Sequence, residues 1–159
     1  MLLKAFGYVF QSLLMTTVGY SIIGIHIKLK ELIKIILLNT LNIAIIRYMY
    51  SILNLKNGSH VIIIAIIYTL ICKLVLKKSL IIATISSLIS FSLIIIQELI
   101  VLFPIIHIFK VDLDKLLSAG DIISLLIIIA SNSLLIILFI IFSISKHNIV
   151  NLDQYKVRK

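Results

Sequence analysis

Arg47 and Glu98 are two residues of opposite charge that lie within long apolar stretches of the sequence. In apolar surroundings a guanidinium and a carboxylate can form an ion pair, which would hold two helices in register. They can also bind a polar ligand or contribute to a conducting site. Which of these applies depends on whether the elements that carry them bring the two side chains together.

The composition indicates an integral membrane protein. Of its 159 residues, 62% are hydrophobic, and the mean hydropathy is +1.25. A soluble fold of this size has too much surface to hide so many apolar side chains. The net charge is +9, but the cations flank apolar stretches. We therefore expect anionic lipid as the partner of the basic residues, and not nucleic acid.

Five stretches approach the length of about 20 apolar residues that a helix needs to cross a bilayer. Unbroken apolar runs without period-two alternation argue against a membrane barrel. The sequence therefore predicts an all-α, polytopic transmembrane bundle of five spans at residues 1–145, followed by a short basic tail at 146–159. The spans are Ala5–Ile27, Ile35–Leu53, Val61–Leu76, Leu80–Phe103 and Ile122–Ser145.

The charges in the connecting segments predict the orientation of these spans. Ten cations fall on one side of the membrane, four fall on the other, and Arg47 lies within a span. Since cytoplasmic loops carry the excess of lysine and arginine, the N-terminus is predicted outside and the C-terminus in the cytosol. The side with ten cations carries Lys28, Lys30, Lys34, Lys73, Lys77, Lys78, Lys146, Lys156, Arg158 and Lys159.

This topology places Arg47 and Glu98 at the same depth. Arg47 lies six residues below the outer end of the second span, and Glu98 lies five residues below the outer end of the fourth. At 1.5 Å per residue, both lie roughly 8 to 9 Å inside the outer edge. Charged residues at depth normally face the bundle and pair. We therefore predict an interhelical Arg47–Glu98 ion pair, with a ligand-binding role for the two residues as the alternative.

Histidine and cysteine offer fewer candidates for chemistry. The four histidines show no metal-binding spacing, although His60 and His107 fall on the predicted outer face and are candidates for pH sensing. Cys72 and His26 share a predicted inner depth, which leaves a membrane Cys/His peptidase as an alternative. Otherwise we expect no catalytic residues, no metal and no cofactor.

Small residues in the fourth span predict close helix packing. Ser86 and Ser90 are four residues apart, as are Ala83 and Ser87. Such small-xxx-small faces let helix backbones approach each other in a membrane.

Several motifs resemble the N-terminal membrane region of GHKL-type sensor histidine kinases from low-GC Gram-positive bacteria, a group that includes quorum-sensing peptide receptors. The motifs are Arg47, the Gly58-Ser59-His60 segment, the stretch KKSLIIATISSLISFSLIIIQE and Pro104. In that family an Arg ends the second span, a Gly-x-His opens the third, and a Glu follows the Lys-Lys-Ser-like start of the fourth. The matching positions between residues 28 and 104 are Arg47, Gly58, His60, Lys78 and Glu98.

The sequence departs from that family at two places. Tyr48-Met49-Tyr50 follows Arg47 where the family often has a proline. After Lys146 we expect neither the dimerisation helix with its phosphorylated histidine nor the ATP-binding domain. The resemblance therefore implies a receptor-like module without its own output domain, or a truncated relative.

These features favour a multi-pass protein of the cell membrane with a sensor-like or regulatory role and no enzymatic activity. It would bind a ligand or a membrane partner, act on a membrane or cytosolic signalling partner, and is compatible with a homo-oligomer. One alternative is a small transporter subunit or substrate-binding component. The second alternative is the Cys72/His26 peptidase.

Overall fold

The computed structural model describes residues 2–53, 59–104 and 128–144. These residues form helices, and no strand occurs among them, which confirms the predicted all-α class. His107, in the predicted outer loop, and the predicted basic tail at 146–159 lie outside the described residues. The helices are α1 (Leu2–Ile22), α2 (Leu29–Leu53), α3 (Ser59–Leu76), α4 (Leu80–Gln97) and α5 (Ser133–Leu138). Two π-helical segments, Glu98–Leu102 and Phe139–Ile144, continue α4 and α5.

Gly24 explains why α1 ends before the predicted end of the first span at Ile27. Its φ of 76° lies in the left-handed region, which glycine adopts without steric cost. The amide of Gly24 donates to the carbonyl of Ser21 at 3.0 Å, and the amide of Ile25 donates to that of Tyr20 at 2.9 Å. This pair of bonds is a Schellman motif, which satisfies the last carbonyls of the helix.

The connection between α3 and α4 reverses the chain within three residues. Lys77 has a φ of 51° and ends α3. The hydroxyl of Ser79 then accepts a hydrogen bond from the amide of Ile82 at 3.3 Å and caps α4. This capping serine begins α4 at Leu80, as the sequence predicts for the fourth span.

The first four helices form a four-membered ring. α1 packs against α2 and α4, and α3 also packs against α2 and α4, so that α2 and α4 occupy diagonal positions. α5 and its π-helical continuation pack against α1. The diagonal arrangement bears on the predicted ion pair, because α2 carries Arg47 and α4 leads directly into Glu98.

Small and polar side chains fill much of the interface between the helices. Ser12, Thr16, Asn39, Ser86 and Ser90 are completely buried. At Gly19, an added Cβ would collide with the hydroxyl of Ser90 and lie 2.9 Å from the carbonyl oxygen of Ser86. α1 and α4 therefore approach each other closely here, and the predicted small-residue packing face of the fourth span is confirmed.

The outer surface of the bundle is apolar. Among the described residues, thirty large hydrophobic side chains are exposed and seventeen hydrophobic side chains are buried. One described helical stretch, Leu80–Val101, is long and apolar enough to cross a membrane, with 22 residues and a mean hydropathy of 2.2. The apolar stretches His60–Leu76 and Ser133–Ser143 are shorter.

Candidate functional site

A cavity of about 70 Å³ lies where α2, α3 and the end of α4 face one another, and we name it the Arg47–Glu98 cavity. It is lined by three candidates from the sequence, Arg47, His60 and Glu98. Gln11 and Met15 contribute from α1. The remaining lining residues are apolar: Ile43, Val61, Ile64, Phe91, Ile94 and Ile95. The volume is enough for several water molecules or a small ligand group.

Arg47 is held at the wall of the cavity by an aromatic side chain of α1. The carbon of its guanidinium lies 5.0 Å from the centroid of the Tyr8 ring, which is a cation–π contact. One terminal nitrogen donates a long hydrogen bond of 3.5 Å to the Tyr8 hydroxyl. A guanidinium has five N–H donors, so this contact orients Arg47 and leaves donors for a carboxylate or another acceptor.

Glu98 begins the π-helical segment that follows α4. The wide turn closes with the amide of Phe103 donating to the carbonyl of Glu98, and Pro104 follows. Proline lacks the amide that would bond to the carbonyl of Ile100 and crowds that carbonyl, which favours a local change of helical pitch. Such π-helical turns are frequent at functional sites.

Arg47 and Glu98 share the cavity without forming an ion pair with each other. Both side chains are exposed, and within the part of the chain that the structure describes, Arg47 contacts Tyr8. The cause is the diagonal placement of α2 and α4 described above. The predicted ion pair is therefore absent from this arrangement. A ligand-binding role for the two residues stays a prediction.

His60 lies at the start of α3 and is half-buried. Its ring packs edge-on against Tyr50 of α2, with ring centroids 5.4 Å apart and an angle of 62° between the planes. Both Tyr8 and Tyr50 pack onto a small apolar cluster of Ile43, Ile46 and Ile64. The two aromatic rings that contact Arg47 and His60 therefore rest on the same apolar cluster. A metal-binding or pH-sensing role for His60 stays a prediction.

Cys72 and His26 occupy very different environments. The thiol is completely buried, next to Tyr20 and Tyr68, whereas His26 is exposed. A thiol without an adjacent base and without access to a peptide does not provide an activated nucleophile. The geometry therefore gives no support to the peptidase alternative.

A second polar region, the buried polar seam, runs between α1, α2 and α3. The Asn39 amide donates to the Ser12 hydroxyl at 3.0 Å. The Asn42 amide donates to the Asn39 side-chain carbonyl at 3.4 Å and to the carbonyl of Ile64 at 3.3 Å. Each partner in this seam is a protein group, so these side chains hold helices together.

Sequence reasoning missed three residues that organise the site and its surroundings. They are Tyr8, which orients Arg47, Gly19, which permits the helix crossing, and Gln97. The side-chain oxygen of Gln97, which is only 3% exposed, accepts from the amide of Leu135 at 3.1 Å and caps α5. The spacing of Ser12, Thr16 and Gly19 along α1 was a readable signal of a packing face, whereas nothing local marks Tyr8 or Gln97.

Chemically, the Arg47–Glu98 cavity offers a cation, an anion and an imidazole above an apolar floor. Such a site suits recognition of a small polar molecule, since apolar walls with a few oriented polar groups are typical of ligand pockets. No family model, curated protein or solved structure matches the chain.

Proposed function

We propose that the chain is an integral membrane protein with a sensor-like or regulatory role, in which the Arg47–Glu98 cavity receives a ligand or a membrane partner. The observation that carries this proposal is the convergence of Arg47, His60 and Glu98, from three different helices, on one cavity. Apolar walls that carry a few convergent polar groups are typical of ligand pockets.

The membrane assignment is supported by the distribution of side chains. Exposed leucines and isoleucines run along α2, α3 and α4, while buried serine, threonine and asparagine side chains lie between the helices. Water would penalise such a surface at about 25 cal/mol per Å² of apolar area, whereas lipid does not. We propose five spans with the N-terminus outside, and the candidate span Leu80–Val101 is the described stretch that best meets the length requirement.

The inner end of the bundle would then be basic. Lys28, Lys30, Lys34 and Lys73 are exposed at the start of α2 and the end of α3, which lie at the same end of the ring. Each lysine near an anionic leaflet contributes about 1 kcal/mol to membrane attraction. A cytosolic signalling partner would meet the protein on this face.

In mechanism, a ligand in the cavity would bias the relative positions of α2 and α4. The two helices are diagonal, so a molecule that contacts both Arg47 and Glu98 can draw them together in a way that the protein alone does not. The change would reach the inner face through the helices themselves. A ligand can shift such an equilibrium only by its difference in affinity for the two arrangements.

The proposal is tested in the organism that encodes the chain. Transcript profiles are compared between wild type, a deletion and the Arg47→Gln variant, with membrane abundance of the variant matched to wild type. A regulatory role predicts that Arg47→Gln reproduces most of the transcriptional change caused by the deletion. A deletion with altered uptake or export of a solute and no transcriptional change contradicts it and favours the transporter alternative.

The topology has its own test. A fluorescent protein fused to the C-terminus should mature in the cytosol, and alkaline phosphatase fused at Asn57 should be active outside. An inactive phosphatase at Asn57 contradicts the orientation and places the cavity on the opposite side of the membrane.

A further inference from the structure

The Arg47–Glu98 cavity presents opposite charges to the same small volume. Arg47 and Glu98 both line the cavity, and neither is neutralised by the other. A ligand with one negative group would be attracted by Arg47 and repelled by Glu98. A ligand with one positive group would be attracted by Glu98 and repelled by Arg47. Only a molecule that carries both charges is attracted by both residues.

The apolar residues that line the cavity favour an apolar group on the rest of the ligand. Ile43, Ile64, Ile94 and Phe91 line it, and burying apolar groups against them contributes about 0.8 kcal/mol per CH₂. The volume of about 70 Å³ restricts the buried part to a few heavy atoms. The Arg47 fork, oriented by Tyr8, suits a carboxylate because a guanidinium can bind one through two parallel hydrogen bonds.

We propose that this cavity binds a small zwitterion with a short apolar body, the class to which the free aliphatic α-amino acids belong. The carboxylate contacts Arg47, the ammonium contacts Glu98, and the apolar side chain lies against Phe91 and the isoleucines. This inference rests on the proposed function of the cavity as a ligand site and names the chemistry of that ligand.

The test is a binding titration on the full chain purified in detergent or in lipid nanodiscs. Three probes share one branched skeleton and differ only in charge: L-valine, 3-methylbutanoate and 2-methylpropylamine. Valine is expected to bind at least about tenfold more tightly than either single-charge probe, since each of these loses one charged contact. The Arg47→Gln and Glu98→Gln variants should each weaken valine binding by at least about tenfold.

Two matched variants keep the test interpretable. Ser92→Ala changes an exposed residue of α4 outside the cavity and should bind valine as the wild type does. Arg47→Lys keeps the charge but loses the planar fork, and should show an affinity between those of wild type and Arg47→Gln. Both site residues are exposed, so folding of their variants is expected and is checked by size-exclusion elution.

Equal binding of valine and 3-methylbutanoate overturns the inference in favour of an anion site, and equal binding of the amine overturns it in favour of a cation site. Absence of valine binding up to about 10 mM also overturns it. If Arg47→Gln still reproduces the deletion profile in that case, the sensor proposal survives and only the ligand class fails. If valine binds but Arg47→Gln regulates normally, the ligand class stands and the sensor role fails.

Discussion

Polar side chains have opposite surroundings at the crossing of α1 and α4 near Gly19 and at the Arg47–Glu98 cavity. At the crossing, the Ser90 hydroxyl donates to the carbonyls of Met15 at 2.8 Å and Ser86 at 2.9 Å, and no space remains for another atom. In the cavity, charged side chains surround open volume. The polar residues at the crossing are enclosed by the packed helices, whereas Arg47 and Glu98 face open volume.

Two consecutive residues repeat this contrast on a smaller scale. Gln97 is buried and caps α5, while Glu98 is exposed and lines the cavity. A rotation of about 100° per residue separates them. Neighbours in sequence therefore belong to the helix-packing region and to the cavity respectively, and mutations in the two regions should differ in the size of their effect and in the property that they change.

The largest expected effect is at the helix crossing. Gly19→Ala places a Cβ against the hydroxyl of Ser90 and the carbonyl of Ser86, so α1 and α4 must separate. Overpacking of this kind costs about 1 to 3 kcal/mol, and backbone obstruction places Gly19 at the upper end. The free energy of unfolding in detergent measures it. Gly7→Ala is the matched control, because a Cβ there meets only the side chain of Ile128 at 3.4 Å; equal losses at both glycines would contradict a tight crossing.

The next effect is in the buried polar seam. Asn39→Leu removes the donor to Ser12 and the acceptor for Asn42, and we expect a loss of about 1 to 2 kcal/mol. Thr40→Val is the control on the neighbouring residue, since the Thr40 hydroxyl is buried without a hydrogen-bond partner. That variant should be neutral or slightly stabilising, and a loss as large as that of Asn39→Leu would show that the seam is not the source of the stability.

Gln97→Leu should have a smaller structural effect. It removes the side-chain acceptor for the amide of Leu135 at the start of α5, and loss of a helix cap typically costs about 1 kcal/mol. Hydrogen exchange at the first turn of α5 should rise while exchange within α3 stays unchanged. A uniform increase in exchange across both helices would mean that Gln97 stabilises the whole bundle and does not act as a local cap.

The smallest effect on stability is expected at the cavity. Arg47→Gln and Glu98→Gln should each change the free energy of unfolding by less than about 0.5 kcal/mol, because both side chains are exposed and not paired with each other. Their double-mutant cycle should show coupling below about 0.5 kcal/mol. A buried ion pair would instead cost about 3 to 5 kcal/mol when one partner is removed, and coupling of that order would restore the predicted ion pair that holds the two helices in register.

The sequence predicted the helical class and the start of α4, and it selected Arg47, Glu98 and His60, which all line the cavity. Those features follow from local signals, which are the apolar runs and the charges placed at matching depth. It did not predict that Arg47 and Glu98 would remain apart, because depth along a helix says nothing about which helices are diagonal. The end of α1 at Ile22 was also missed, since Gly24 within an apolar run gives no sign of its left-handed conformation until the fold is known.

The central claim is that the charged cavity faces the outside, while the polar residues of the helix crossing are sealed within the bundle. Single cysteines placed by Glu98→Cys, Ser90→Cys or Lys77→Cys in a Cys72→Ser background, labelled with a membrane-impermeant maleimide, test both parts at once. The account predicts that the position-98 variant is labelled in intact cells, the position-77 variant only after permeabilisation, and the position-90 variant in neither case. Labelling at position 90, or labelling at position 98 only after permeabilisation, would contradict it.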